Sequence, residues 1–406
     1  MKKFDIPTYY RSSIISCIKE IRKNQDPRKA DFSPTELDFG PVRFLIARHF
    51  GFCYGVENAI EISYKALREN PGKRIFLLSQ MIHNPDVNRD LQERGIEFIM
   101  DTEGNKFVNW DELSSQDIVI IPAFGTTLET EQKLNELGIE TVKYNTTCPF
   151  VERVWNRTHQ LGEQGFSIIL HGKHKHEETR ATFSHSNYNA PSVIIKDMEE
   201  AHKLVSLIKG DLKEDDFYQI FEGRYSQGFN PSEHLRRIGV VNQTTMLATE
   251  TKAISNCLKE VMIEKYGSDM IKDHFADTRD TLCYATNDNQ EATYKVLESN
   301  ADMAVVVGGY NSSNTSHIVE LCERSLSTYY VCGPDEIVSK DRISHFNYQS
   351  GKRITSVGYL PDKDQTTIIL TSGASCPDST IEAVLRKLLS FFNDPRTVEE
   401  VLNDLA

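Results

Sequence analysis

The sequence predicts an α/β fold made of three units of similar order, each with a mostly parallel sheet. Three observations carry this. Short apolar runs rich in β-branched residues alternate with longer runs of helical period, the pattern of parallel strands joined by crossover helices. A cysteine stands before the first helix of each unit, at Cys53, Cys148 and Cys283. Polar and ionisable residues gather just after the strands, where ligands collect in parallel sheets.

The chain of 406 residues is long enough for two or three domains. It has no apolar run near the roughly 18 residues a membrane helix needs. The start, Met1-Lys2-Lys3-Phe4-Asp5, lacks the apolar core of a signal peptide. Asp5, Glu20 and Asp26 argue against a transit peptide. A bacterial cytoplasmic protein without a membrane partner is the expectation. The formal net charge of −13 argues against nucleic acid as a partner. It leaves room for a small anion held by local donors. The eight cysteines include no Cys-x-x-Cys pair, which disfavours a zinc ribbon, and a cytoplasmic chain disfavours a disulfide framework.

Residues 1–40 read as an N-terminal extension. An amphipathic stretch covers 14–21, and 24–40, with Pro27 and Pro34, reads as a linker. The first unit, 41–147, opens with a buried strand over 42–47. Gly51-Phe52-Cys53-Tyr54-Gly55 follows, and its glycines permit close backbone approach to a ligand. Val56, Ala59, Ile60, Ala66 and Leu67 then mark a helix. A strand over 74–78 delivers His83, a helix covers 85–94, and short strands are expected over 97–99 and 117–122. The last ends in Ala123-Phe124-Gly125.

The second unit, 148–272, opens at Cys148, where a strand expected over 139–144 gives way to a helix over 150–164. A strand over 166–170 delivers His171, His174, His176 and Glu178. A strand over 192–195 and a helix over 198–208 follow. Residues 209–237 are polar and irregular and read as an insertion or a long loop, as a lid or a contact surface. A strand over 238–241 then enters Gln243-Thr244-Thr245, before a helix over 248–266. The third unit, 273–406, carries Cys283, a helix over 289–299 and a strand over 303–308. That strand delivers Asn311-Ser312-Ser313-Asn314. After a strand over 328–332, another over 367–370 delivers Ser372-Gly373-Ala374-Ser375. A helix over 379–392 and a short helical tail end the chain.

Three thiolates at helix starts suit zinc with an open fourth position, or a cubane cluster with one iron lacking a protein ligand. Spacing does not choose between them, and Cys376 also follows a strand. The two hydroxyl-rich loops over 311–314 and 372–375 read as an anion site or as ordinary helix caps. Neither matches a Walker pattern, which disfavours a nucleoside triphosphate. His83 and His176 sit at strand ends. Glu178, a carboxylate among histidines, suits proton relay, or equally a first-turn Glu favoured by the helix dipole. Thr244 and Thr245 can orient it. A zinc hydrolase with Glu178 as base and an iron–sulfur redox sensor are the competing readings. The sensor leaves the hydroxyl loops and Glu178 unexplained.

Taken together and in order, the motifs around Cys53, His83, Cys148, His176, Thr244, Cys283, Asn311 and Ser372 resemble the 4-hydroxy-3-methylbut-2-enyl diphosphate reductase family, the last enzymes of the non-mevalonate isoprenoid pathway. The resemblance runs over about residues 42–392. It implies a trefoil of three α/β units, related by a pseudo-threefold, around one 4Fe–4S cluster bound by Cys53, Cys148 and Cys283, with Cys376 a non-ligand. It implies that His83, His176, Thr244, Ser312, Ser313, Asn314 and Ser375 bind the substrate, mostly its diphosphate, and that Glu178 delivers a proton. The implied reaction removes an allylic hydroxyl with two electrons and two protons, giving isopentenyl and dimethylallyl diphosphate. Reduced ferredoxin or flavodoxin is the implied electron donor. One branch of the family has a histidine where this chain has Phe124. With the extension and the 209–237 insertion, this resembles the longer plant and cyanobacterial type.

Overall fold

The computed structural model describes residues 4–276, 278 and 281–405. Met1–Lys3 and Ala406, the ends of the expected extension and tail, lie outside the described residues. The chain forms two compact units. One comprises Met1–Glu57, His83–Val87 and Tyr284–Ala406, the other Asn58–Ile82 and Asn88–Cys283.

The first unit is built on a five-stranded sheet in the order Thr35–Asp38, Val42–Ile46, Thr366–Ser372, Met303–Val307, Ser327–Val331. All its pairings are parallel except that of the edge strand Thr35–Asp38. Met303–Val307 and Thr366–Ser372 are buried along their whole length. They read as nearly continuous apolar runs because both sheet faces are covered. Phe44, Val305, Leu370 and Leu385 form the core on one face, and Leu45, Val296, Val306 and Ile318 the core on the other.

Two expectations about the N-terminal region are corrected here. The described part of the expected extension, residues 4–40, packs into the body. The helix Ser13–Gln25 starts at Ser12, whose hydroxyl accepts the N–H of Ile15. It buries Ile14, Ile15 and Ile18 in the first unit's core. It packs on the helices Asp378–Leu389 and Val398–Leu405, so the C-terminal tail docks here too. The expected linker contains the edge strand Thr35–Asp38, which buries Leu37. The strand Val42–Ile46 was expected to open the first α/β unit. It pairs instead with Thr366–Ser372, Val42 lying opposite Thr366. A hairpin of Arg342–Asn347 and Lys352–Val357, not expected from the sequence, completes this unit.

The second unit holds two sheets, both parallel throughout. One runs Ile96–Phe98, Ile75–Leu77, Ile118–Ile120, and the other Ser192–Ile195, Ser167–His171, Ile238–Asn242, Phe275–Ala276. The 209–237 segment is not an irregular lid. It carries the helices Glu214–Ile220 and Pro231–His234. Phe217, Phe221 and Phe229 join Leu204 and Ile208 in the core, with Phe217 and Phe229 stacked at 4.9 Å. Three aromatic anchors outweigh the polar composition around them.

The expected repeat is present as a strand order. Ile75–Leu77 lies between Ile96–Phe98 and Ile118–Ile120. Ser167–His171 lies between Ser192–Ile195 and Ile238–Asn242, and Met303–Val307 between Ser327–Val331 and Thr366–Ser372. Each time the first strand after the cysteine's helix is central, the next pairs on one side and a later one on the other. The fold is α/β with mostly parallel sheets. Among the described residues, no helix is long and apolar enough to cross a membrane.

Candidate active site

The three cysteines share one local design. Cys53 immediately precedes the helix Tyr54–Glu69, and Cys283 precedes Tyr284–Leu297. Cys148 is the N-cap of Pro149–Glu163, with Pro149 in the first turn where no N–H is needed. Each cysteine N–H donates to a carbonyl just beyond a strand. Cys53 donates to Ala374 (3.2 Å), Cys148 to Ala123 (2.9 Å) and Cys283 to Thr244 (3.1 Å). These carbonyls follow Thr366–Ser372, Ile118–Ile120 and Ile238–Asn242, the later flanking strand of each repeat. None of the three is in a disulfide, and all three are partly buried. Burial pushes the Cys53 thiol up, while the N–H groups of Val56 and Gly55 at the helix start favour its thiolate. Beside Cys148, Thr147 donates both its amide and its hydroxyl to Asn145 Oδ1, at 2.9 and 2.6 Å. This local turn feeds the chain into the helix.

Cys376 is different. It is 0% exposed and lies in the first unit's apolar core. Burial pushes its thiol well above the ordinary range, and its Sγ lies 3.6 Å from the Pro377 carbonyl. It is a packed thiol. Among the described residues, no three His, Cys, Asp or Glu side chains are grouped closely enough to hold a single metal ion.

The first unit brings Cys53, His83, Ser312, Ser313, Asn314 and Ser375 onto a connected set of loops. Asn314 Oδ1 accepts the Ala374 N–H at 2.9 Å and the Asn289 Nδ2 at 3.2 Å. The Ala374 carbonyl in turn holds Cys53. The Ser375 hydroxyl donates to the His83 carbonyl at 3.2 Å. Ser312 caps the helix Ser313–Glu323, its oxygen accepting from the Thr315 amide and hydroxyl. Ser313 and Asn314 occupy that helix's first turn, where N–H groups and the positive dipole end favour an anion. Sequence reasoning missed what lets these loops approach. A Cβ on Gly373 would lie 2.0 Å from Thr315 Oγ1, and one on Gly309 would lie 2.4 Å from the His83 carbonyl oxygen. The Gly308-Gly309 pair was the available signal.

The second unit holds Cys148, His176, Glu178, Thr244 and Cys283. Glu178 is 2% exposed. Its Oε1 accepts the Thr244 N–H (2.5 Å) and its Oε2 the Thr244 hydroxyl (2.9 Å). Burial pushes its pKa up to about 7, against the opposing pull of these two hydrogen bonds. His176 caps the helix Glu177–Asn189, its Nδ1 accepting the Glu178 N–H at 3.2 Å. Among the described contacts, Thr245 is not joined to Glu178. It accepts from Gln243 Nε2, while Gln243 Oε1 takes the Lys173 N–H and the Thr179 hydroxyl. Phe124, which the sequence reading set aside, meets His176 edge to face at 5.6 Å.

Residues 44–389 match the family model described as LytB protein. A 4-hydroxy-3-methylbut-2-enyl diphosphate reductase of Picosynechococcus is 37% identical over 382 residues, covering 94% of this chain and 89% of that protein. One from a Synechococcus species is 37% identical over 394 residues, covering 97% and 91%. Both sources are cyanobacterial, as the longer type led one to expect. Among solved structures, an E-1-hydroxy-2-methyl-but-2-enyl-4-diphosphate reductase from Plasmodium falciparum has a TM-score of 0.60 at 20% identity, covering 85% of this chain and 86% of that one. An (E)-4-hydroxy-3-methyl-but-2-enyl diphosphate reductase, described as the terminal enzyme of the non-mevalonate pathway, has a TM-score of 0.51 at 23% identity, covering 86% and 99%. These two share the fold. On the family model and the cyanobacterial relatives together, the chain belongs to the LytB family of 4-hydroxy-3-methylbut-2-enyl diphosphate reductases, which are oxidoreductases.

Proposed function

We propose that this chain reduces 4-hydroxy-3-methylbut-2-enyl diphosphate to isopentenyl and dimethylallyl diphosphate, with Glu178 as the proton donor. The observation that carries the role of Glu178 is its setting. A buried carboxyl with a pKa near 7 keeps its proton available at neutral pH and can release it to a departing hydroxyl. Thr244 fixes both of its oxygens, so the direction of transfer is set before substrate arrives.

Cys53, Cys148 and Cys283 fit an iron–sulfur cluster by donor chemistry: three thiols outside any disulfide, each at a helix start. A 4Fe–4S cluster held by them would supply electrons and Lewis acidity to the reaction. Reduced ferredoxin or flavodoxin is the proposed donor of those electrons, and the bacterial cytoplasm the proposed location. His83, Ser312, Ser313, Asn314 and Ser375, with His176 and Thr244, are the proposed substrate contacts. The helix start at Ser313 supplies N–H groups suited to phosphate oxygens. The repeated strand order supports a division of the body near residues 148 and 273.

Anaerobic purification followed by turnover of the hydroxylated diphosphate with a chemical reductant tests this reading. The expected result is a brown protein with about four irons and four sulfides per chain, which turns over. A colourless zinc protein, or a brown one without turnover, would refute it.

A further inference from the structure

The proposed reaction takes its electrons from a partner protein, and a partner needs a surface. The first unit carries one that the reaction leaves unused. The hairpin of Arg342–Asn347 and Lys352–Val357 is a sheet of two strands, so Lys352–Val357 is paired on one side only. Every residue of that strand except Ser356 is exposed. The other strand faces inward. Its Ile343 and His345 are buried, and His345 meets Tyr329 edge to face at 5.1 Å.

Apolar and cationic side chains mix along the open side. Val338, Ile354 and Val357 are exposed. Val338 donates its N–H to the Arg342 carbonyl at 3.1 Å, and Val357 lies opposite Arg342 in the register. From Ile337 to Gly358 the chain holds four basic residues, Lys340, Arg342, Lys352 and Arg353, against one acid, Asp341. The whole chain has a formal net charge of −13. Such a molecule repels an acidic protein except where cations are gathered. Cations on an exposed edge also oppose pairing with a second copy of the chain.

The hairpin is tied to the anion loop. Arg353 donates to Glu336 Oε1 at 2.5 Å, and Glu336 also accepts the Tyr310 hydroxyl. Phe346 stacks on the Tyr310 ring at 4.5 Å. Tyr310 directly precedes Asn311-Ser312-Ser313-Asn314.

We propose that the open edge of this hairpin docks the electron donor, an acidic ferredoxin, through Lys340, Arg342 and Lys352 and the apolar side chains beside them. This rests on the reading of the chain as a reductase fed by a redox protein. Each reduced ferredoxin is oxidised by one electron, so two encounters serve one turnover.

Lys340→Glu, Arg342→Glu and Lys352→Glu together reverse the charge of the surface and leave Arg353 with its Glu336 partner. In the cluster-loaded enzyme this triple variant should raise KM for a reduced, acidic 2Fe–2S ferredoxin about tenfold at low salt. Its iron content and its turnover with a chemical reductant should match the wild type. The wild-type KM for ferredoxin should rise with ionic strength, and the variant's should not. An unchanged ferredoxin KM overturns the proposal. So does an equal loss of turnover with both reductants, which would place the hairpin's role in the fold. A concentration-dependent dimer that the substitutions dissolve would make a second copy the occupant, and overturns it too. Wild-type turnover with the chemical reductant but none with ferredoxin removes the docking role alone. Turnover with neither removes the reductase reading as well.

Discussion

Thr244 takes one oxygen of Glu178 with its backbone amide and the other with its hydroxyl, while its own carbonyl holds the N–H of Cys283. One residue thus fixes the proposed acid and a proposed cluster ligand at the same strand end. Movement of the buried Thr244 would disturb both.

Glu178→Gln should keep the cluster and lower turnover about a hundredfold or more. In the unsubstituted enzyme, turnover needs the protonated carboxyl, so kcat should fall as pH rises through about 7. The same group has a stability consequence. Its folded pKa of about 7 lies above the ordinary 4.5. Its contribution is therefore fully present below about 4.5 and is lost as pH rises through about 7. The loss is on the order of 3 kcal/mol. Denaturant unfolding at pH 5 and pH 8 should show this loss, and Glu178→Gln should abolish the difference. An equal pH dependence in both proteins would refute the burial of this titrating group.

Thr244→Val removes the hydroxyl and keeps the backbone grip on Cys283. Losing a hydrogen bond to the charged carboxylate raises the Glu178 pKa further. The descending limb of the pH–rate profile should move up by about one unit, with iron content unchanged. An unmoved limb would show that the hydroxyl does not set this ionisation.

Ile15→Ala tests the place of the N-terminal helix. Ile15 is 0% exposed among the core residues of the first unit. Truncation should cost about 2–5 kcal/mol, read as a lowered denaturation midpoint. A dispensable extension would show no change.

Cys148→Ala should lower iron and sulfide content, because it removes a proposed thiolate. Cys376→Ala should keep the full content and cost only packing, about 1 kcal/mol. Metal analysis beside thermal unfolding separates the two. Iron loss from the Cys376 variant would contradict its assignment to the core.

Local sequence was enough for much of this. Helical period and β-branched runs placed most of the strands and helices, because each depends on residues within a few positions of one another. The three cysteines at helix starts and the order of the motifs gave the family. The strand Val42–Ile46 was legible, but its partner was not. Pairing with Thr366–Ser372 closes a loop of hundreds of residues, and only burial of both sheet faces selects it. The polar stretch over 209–237 hid Phe217, Phe221 and Phe229, whose burial depends on distant Leu204 and Leu258. The N-terminal segment read as an extension, and only tertiary structure places Ile14, Ile15 and Ile18 in the core. The contact of Thr244 with Glu178, two candidate-site residues, joins side chains 66 positions apart. The sequence by itself determined which chemical groups are present and on which elements they stand. Tertiary structure decided which of them touch, since sheet order and core packing are set by non-local burial that no local period encodes.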